Sequence, residues 1–397
     1  MRIGLVLEQF DPRRGGLEQW SCRFAGLLAE RGLEVHVVAE RFGEQTAAMP
    51  IAAHRLGPVR SRLAFAEAAQ AKLLSLAPDV IHDMGSGWYC DVFHPHGGSW
   101  VSLSQRKLLL LPRWLRPLKR GVDRLLPRQR GYQTLLSQQY ADNGQILVAL
   151  SQTTAADFRH FHGVPPERIR IVYNGVDTDH FSPRHRATHR EPLRRQLGVD
   201  NQTLLALIVA HNFQLKGVST LLRAMRRLLA EGRKAHLVVV RGKRLVPWRR
   251  MARRLGVGAA VSFVGPTDQT APYYAAADLY VHPTLYDACS LVVLEAAASG
   301  LPVITTRLNG VTELLSDGSE ALLISDPADV NELAGQMRVL FDGDLREKMG
   351  NAGRRMALEN TFERNVNGIL DVYQEIVRSR GPAYRRKRLA RQLTRIR

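Results

Sequence analysis

Residues 286–295 read YDACSLVVLE, with one carboxylate at Asp287, a second at Glu295 and seven residues between them. A helix that only had to fill a core would have no use for Glu295 among the apolar residues of LVVLEAAASG. If the helix starts near Ser290, the backbone amides of Ser290, Leu291 and Val292 have no acceptor inside it and point outward, which suits a pyrophosphate. Glu295 then lies about one and a half turns further in, within reach of a ribose diol beside that pyrophosphate. Asp287, on the loop just before, faces whatever the diphosphate carries.

The surroundings of this stretch have a βα rhythm. Upstream of it come TLLALIVA (203–210), a helix over 217–231, HLVVV, VSFVG and DLYVH; PVITT follows it. The first half repeats the pattern with IGLVL (3–7), a helix over LEQWSCRFAGLLAERG, EVHVVAE, DVIHD (79–83), ILVAL (146–150), a helix capped by Ser151, and IRIVYNG. Apolar strands without clean alternation, separated by helices, indicate parallel sheets covered on both faces. At 397 residues the chain exceeds what one core usually serves. The class is therefore α/β with two doubly wound domains. Residues 1–180 are expected to form the first and residues 195–360 the second, with 361–397 a C-terminal helix and basic tail. The join falls in the polar segment 174–200.

Hydrophobic content of 45% and charged content of 23% describe a globular chain, and three cysteines without metal spacing suggest a reducing compartment. The start, MRIGLVLEQF, reads as a first strand and not as a signal peptide. In open α/β sheets ligands settle at the carboxyl ends of strands. The loop DPRRGGLEQW (11–20) occupies such a place, and Gly15-Gly16 lets the backbone approach an anion closely. It departs from GxGxxG, which points away from a nicotinamide enzyme.

PTLYDACSLVVLEAAASGLPVITT resembles the carboxylate–seven residues–carboxylate signature of the family 4 retaining glycosyltransferases. Those enzymes have the GT-B fold, two Rossmann-like domains facing a central cleft. NGVD (174–177), Lys216-Gly217 opening a helix, VSFVG followed by YYAAADLYVHPT, and the GG loop extend the resemblance over nearly the whole chain. LEQFDPRRGG paired with HPHGG, and a basic insertion around residue 110, are similar to the branch that includes the lipopolysaccharide core glucosyltransferase.

The resemblance implies roles for particular residues. Glu295 holds the nucleotide ribose, Asp287 touches the donor sugar, and Ser290, Leu291 and Val292 offer amides to the sugar or diphosphate. Lys216 neutralises the leaving diphosphate, and His96 contacts the sugar near its reacting face, with His94 competing for that role. Two features depart from the family pattern. Asp287 stands where the family usually has Glu, and AHNFQLKG lacks the arginine that many relatives place before the lysine. His211, Arg241 or a residue of the other domain could supply that charge. Asp177-Thr178-Asp179 resembles a metal-binding DxD, but it falls in the interdomain loop and is not assigned a metal.

The activity so implied is transfer of a hexose, glucose foremost, from a nucleotide diphosphate sugar such as UDP-glucose to a membrane-borne glycan or glycolipid. It retains anomeric configuration and needs neither a metal nor a cofactor beyond the donor. A GT-B sugar-nucleotide epimerase is one rival. A basic nucleic-acid-binding protein is another, though the basic stretches lack interleaved aromatics apart from Trp114 and Tyr384.

The net charge of +19 locates a further partner. Residues 105–130 hold nine basic residues and one acid, and 376–397 hold nine and none. Together they account for 17 of the 19, an imbalance that suits an anionic surface. In the first stretch Leu111, Leu115, Leu118, Val122 and Leu125 or Leu126 recur at helical spacing, flanked by Arg113, Arg116, Lys119, Arg120 and Arg124. Its prolines predict two short helices, the second starting at Pro117. The expectation is a cytoplasmic protein, peripheral on the anionic inner face of the inner membrane, with the tail as a second contact.

Overall fold

The computed structural model describes residues 1–125 and 127–379, and in them two main sheets appear, both wholly parallel. The first has seven strands in the spatial order 52–55, 34–39, 2–6, 80–83, 92–93, 146–149 and 169–171. The second has six, in the order 261–265, 235–240, 204–209, 279–282, 303–306 and 321–324. Every residue of Leu204–Val209 and Ala235–Val240 is buried, as expected for strands covered by helices on both faces. In each sheet the strand order reverses beside the domain's first strand. The crevices therefore open at the carboxyl ends of Arg2–Val6 and Leu204–Val209, where the motif loops emerge.

Short elements escaped the sequence reading. Ala52–Arg55 alternates half-buried and exposed, Val92–Phe93 is only two residues long, and Ala321–Ile324 lies at a sheet edge. The helix Gly16–Glu30 buries Trp20, Phe24 and Leu28, spaced by four, against the first sheet. The helix Phe362–Ser379 buries Phe362, Val366, Ile369, Tyr373 and Ile376 in that same core. The end of the described chain thus returns to the N-terminal domain. There Asn365 accepts from the Trp20 indole N–H at 3.0 Å and donates to the Tyr173 carbonyl at 2.7 Å.

The basic insertion forms the helices Trp100–Leu109, Leu115–Leu125 and Pro127–Gln139. The second of these starts at Leu115, not at Pro117. A proline in the first turn is tolerated because that amide has no intrahelical acceptor to lose. Leu111 and Leu115 turn partly inward, while Trp114, Leu118 and Val122 are 75%, 64% and 46% exposed. Leu126 and the tail from 380 onward lie outside the described residues. No helix among the described residues is long and apolar enough to cross a membrane.

Helix Arg186–Leu197 is locked to the second sheet by a buried charge cluster. Arg194, 1% exposed, donates to Asp278 at 3.0 Å and to the carbonyls of Asp200 and Thr203. Arg190 reaches the other Asp278 oxygen at 2.5 Å, and the Leu205 amide donates to Asp278 at 2.8 Å. Burial pushes the Asp278 carboxyl up, but Arg190, the Leu205 amide and Arg194 outweigh it and hold it below its usual 3.8. Removing one member leaves the others charged and unpaired, so Asp278→Asn should cost about 3–5 kcal/mol in denaturant unfolding. A carboxyl depressed in the fold stabilises it fully above its unfolded value of 3.8 and loses that contribution as pH falls through the lower folded value. The wild-type advantage over Asp278→Asn should therefore vanish in acid.

Candidate active site

Loops from both sheets converge on one cleft. Lys216 ends the loop after Leu204–Val209, and Gly217 caps the following helix with φ +73°. A Cβ there would fall 2.1 Å from the Pro283 carbonyl oxygen, so only glycine lets the two loops meet. This close approach brings the Lys216 ammonium onto Asp287 in a direct ion pair. His282, fully buried, adds a contact of 3.4 Å to the same carboxylate oxygen, while its other ring nitrogen lies 3.2 Å from the Tyr280 hydroxyl. Burial alone would raise the Asp287 carboxyl; Lys216 and His282 reverse this and hold it well below the carboxylate range. Asp287 is therefore ionised throughout the physiological range.

The helix beyond it spans Leu291–Ala298 with Ser290 as its N-cap. The Ser290 amide is not free, contrary to the sequence expectation: it donates to Asn309 Oδ1 at 3.3 Å, because the loop after Val303–Thr306 pairs with Asp287 and sets Asn309 beneath the helix start. Leu291 and Val292 keep open amides, with no acceptor among the described residues. The Ser290 hydroxyl is also buried without a partner. Glu295 accepts from the Tyr274 hydroxyl at 2.8 Å; burial raises its pKa, with Arg241 and Tyr274 only partly opposing the rise.

Arg241 stands close enough to Glu295 for its charge to be felt there. It follows Ala235–Val240 with φ +70°, a left-handed conformation that costs a non-glycine residue ~1 kcal/mol or more. In this conformation its guanidinium Nη1 lies 3.2 Å from His211 Nε2, and its Nε is buried without a partner among the described residues. Of the residues left open for the missing arginine's charge, His211 and Arg241 thus stand together. Asp177, by contrast, pairs with Arg23 at 2.6 Å and accepts from the amides of Asp179 and His180.

The N-terminal domain completes the cleft. A Cβ on Gly16 would meet Leu291 at 3.4 Å, and one on Gly15 would come within 4.0 Å of His211, so the GG loop faces the open helix end. The HPHGG loop arrives from the other side. Gly98, at φ +70°, leaves room that a Cβ would fill 2.2 Å from the Tyr286 hydroxyl and 3.0 Å from Ala288. His94 and His96 are now separable. His94 is fully buried and tied to His82 at 3.2 Å, which in turn meets the Tyr373 hydroxyl at 2.6 Å. His96 is only half-buried, packs on Trp20 at 4.4 Å, and has a buried Nε2 without a partner; burial lowers its pKa to about 3, so the ring is neutral.

Two residues that clamp the domains were missed. Tyr286, beside Asp287, accepts from the Ser99 amide at 2.9 Å and donates to Asp157 at 3.4 Å. Glu313 accepts from the amides of Gln152 and Thr153 at 2.6 and 2.8 Å, and from the Tyr173 hydroxyl at 3.0 Å. A carboxylate at the N-terminus of Gln152–His162 suits the helix dipole. The signal for Tyr286 was its adjacency to Asp287; nothing local marked Glu313.

A family model described as Glycosyltransferase Family 4 matches residues 14–180, and one described as Glycosyl transferases group 1 matches residues 203–342. The chain is 30% identical over 255 residues to the D-inositol 3-phosphate glycosyltransferase of Corynebacterium jeikeium, a match spanning 61% of this chain and 60% of that relative. It is 28% identical over 404 residues to the D-inositol 3-phosphate glycosyltransferase of Acidothermus cellulolyticus, spanning 93% of this chain and 87% of the relative. Among solved structures it is similar to WaaG, a glycosyltransferase involved in lipopolysaccharide biosynthesis, with a TM-score of 0.81 at 23% identity over 94% of this chain and 99% of that one. It is also similar to Anabaena HepE in complex with UDP-glucose, with a TM-score of 0.69 at 18% identity over 96% and 99%. With both domains matched by family models and both sheets in the GT-B arrangement, the chain belongs to the family 4 glycosyltransferases.

Proposed function

We propose that this protein transfers a hexose, glucose foremost, from UDP-glucose or a related nucleotide sugar to a membrane-borne glycan or glycolipid, with retention and without a metal. One observation carries the reading: the GG loop of one domain lies against His211 and Leu291 of the other, so an open helix end, a Lys–Asp pair and the HPHGG loop share one cleft. The Leu291 and Val292 amides and the Ser290 hydroxyl suit the diphosphate, and Glu295 the ribose. Lys216 and Arg241 supply the fixed positive charge. As the bond from the anomeric carbon to the phosphate oxygen breaks, that charge stabilises the growing diphosphate anion. The acceptor oxygen attacks from the same face and passes its proton to the departing phosphate oxygen. Asp287, held ionised, accepts from sugar hydroxyls, and neutral His96 can donate or accept without carrying charge.

The names of the curated relatives favour a second reading of the acceptor, a phosphorylated cyclitol. A product screen of UDP- and GDP-sugars against glycolipid and inositol phosphate acceptors separates the two. It also exposes an epimerase, which would change the donor without any acceptor. The exposed Trp114, Leu118 and Val122 among cations suit an anionic leaflet, which supports a lipid-borne acceptor.

Glu295→Gln should weaken donor binding ~10-fold or more, as lost hydrogen bonds to a charged group do, while Asp287→Asn mainly lowers kcat. Because burial raises Glu295, wild-type donor affinity should fall with pH through a value above 4.5, and Glu295→Gln should lack that limb. Wild-type behaviour in both variants by calorimetry and kinetics would remove the site assignment. Lys216→Ala should slow transfer ~100-fold or more, with activity indifferent to EDTA; a metal-dependent wild type would redirect attention to Asp177 and Asp179.

Tyr286→Phe tests the clamp on the HPHGG loop. It loses the acceptor for the Ser99 amide and should lower kcat ~10-fold while leaving the KM for donor within ~3-fold. An unchanged kcat would show that the loop holds His96 without Tyr286.

A further inference from the structure

Residues 211–260 hold thirteen basic residues and one acid, Glu231, an imbalance that acids elsewhere conceal in the overall charge. The helices Val218–Ala230 and Val246–Arg254 follow successive parallel strands and pack their apolar sides on one core, Leu221, Met225 and Leu228 from the first and Ala252 with Trp248 and Met251 from the second. Their outer sides consequently share one face of the C-terminal domain. It exposes Arg223 and Arg226 from one helix and Arg249, Arg250, Arg253 and Arg254 from the other. None of these six has a carboxylate within ion-pair distance among the described residues, and the single acid, Glu231, is taken by Arg338 at 2.5 Å.

A face that only needed to be soluble would interleave both signs. This one also has an apolar tip: Val246, 64% exposed, and the exposed Pro247 start the second helix beside the exposed Lys243 and Arg244. A cavity of about 350 Å³ opens between Arg249, Arg253 and Phe263, large enough for a phosphate headgroup. Bases would need exposed aromatic rings to stack on, but the one tryptophan here, Trp248, packs edge-on against Phe213 at 5.6 Å. Cations around a small apolar tip fit a lipid leaflet better than a nucleic acid.

We propose that this face is a docking surface for an anionic lipid leaflet, separate from the insertion at 105–130 and from the tail. Its purpose rests on the reading of a lipid-borne acceptor, whereas its existence rests on the charge and exposure above. The face belongs to the C-terminal domain, whereas the insertion helices belong to the N-terminal one, so the two contacts can be removed separately.

Flotation of the full-length protein on phosphatidylglycerol–phosphatidylethanolamine vesicles, with phosphatidylcholine vesicles as control, tests it. The variants are Arg249→Glu/Arg250→Glu/Arg253→Glu/Arg254→Glu, the insertion set Arg113→Glu/Arg116→Glu/Lys119→Glu/Arg120→Glu, and their combination. A cation near an anionic leaflet is worth roughly fivefold in partition, so the four-arginine variant should partition at least ~10-fold less on anionic vesicles. The combined variant should float less than either set alone, and phosphatidylcholine should capture little of any form. The four-arginine variant should keep the wild-type melting temperature and donor hydrolysis, since none of its positions lies in the cleft. A milder set with glutamine at the same positions should lose less, in step with charge. Wild-type flotation by a folded four-arginine variant would overturn the proposal. So would unchanged flotation joined to lost retention of single-stranded RNA, which would assign the face to nucleic acid. Absence of donor hydrolysis in the wild type would instead strike the functional reading and leave the flotation result standing.

Discussion

An ionised carboxylate partly withdrawn from water must be compensated, and the pairing of Asp287 with Lys216 and His282 does this at the switch point of the second sheet. The pair joins the loop after the first strand of that sheet to the loop after the fourth. It forms only because Gly217 lets one backbone rest on the Pro283 carbonyl. From Asp287 the consequences run in both directions along the chain. Backward, Tyr286 is aimed at the other domain; forward, Ser290 caps the helix whose open amides face the cleft. Loss of the pair would leave a half-buried acid or a stranded cation and loosen all of these at once.

The two domains are joined by more than a linker. Tyr286 and Glu313 reach from the C-terminal domain onto Ser99, Asp157 and the start of Gln152–His162, and the last described helix returns to the N-terminal core. The cleft is thus bounded by polar contacts that can break and an apolar helix that should stay seated. This division suits an enzyme that must open for substrates while its domains stay registered.

Much of this was legible in the sequence because it followed from local pattern. Buried parallel strands are continuous apolar runs, and an acid inside LVVLEAAASG has no use in a core; both signals survive without tertiary information. What failed depends on contacts distant in the chain. Ser290 looked like a free amide because Asn309, nineteen residues on, cannot be read as its acceptor. Arg241 reads as the end of a strand, and its left-handed turn appears only once Gly265 is seen to accept its amide. The second helix of the insertion began earlier than its proline suggested, since a first-turn amide is spared the usual penalty. The basic face of the C-terminal domain was hidden by summing charge over the chain instead of over the surface.

Hydrogen exchange with and without UDP-glucose addresses the cleft most directly, because it reads backbone protection at every loop in one experiment. Saturating donor should slow exchange together in segments 11–20, 94–100, 211–217 and 286–295, with the amides of Leu291 and Val292 among the most affected. Protection confined to other surfaces, or none with any UDP- or GDP-sugar, would contradict a donor site built on the Lys216–Asp287 pair.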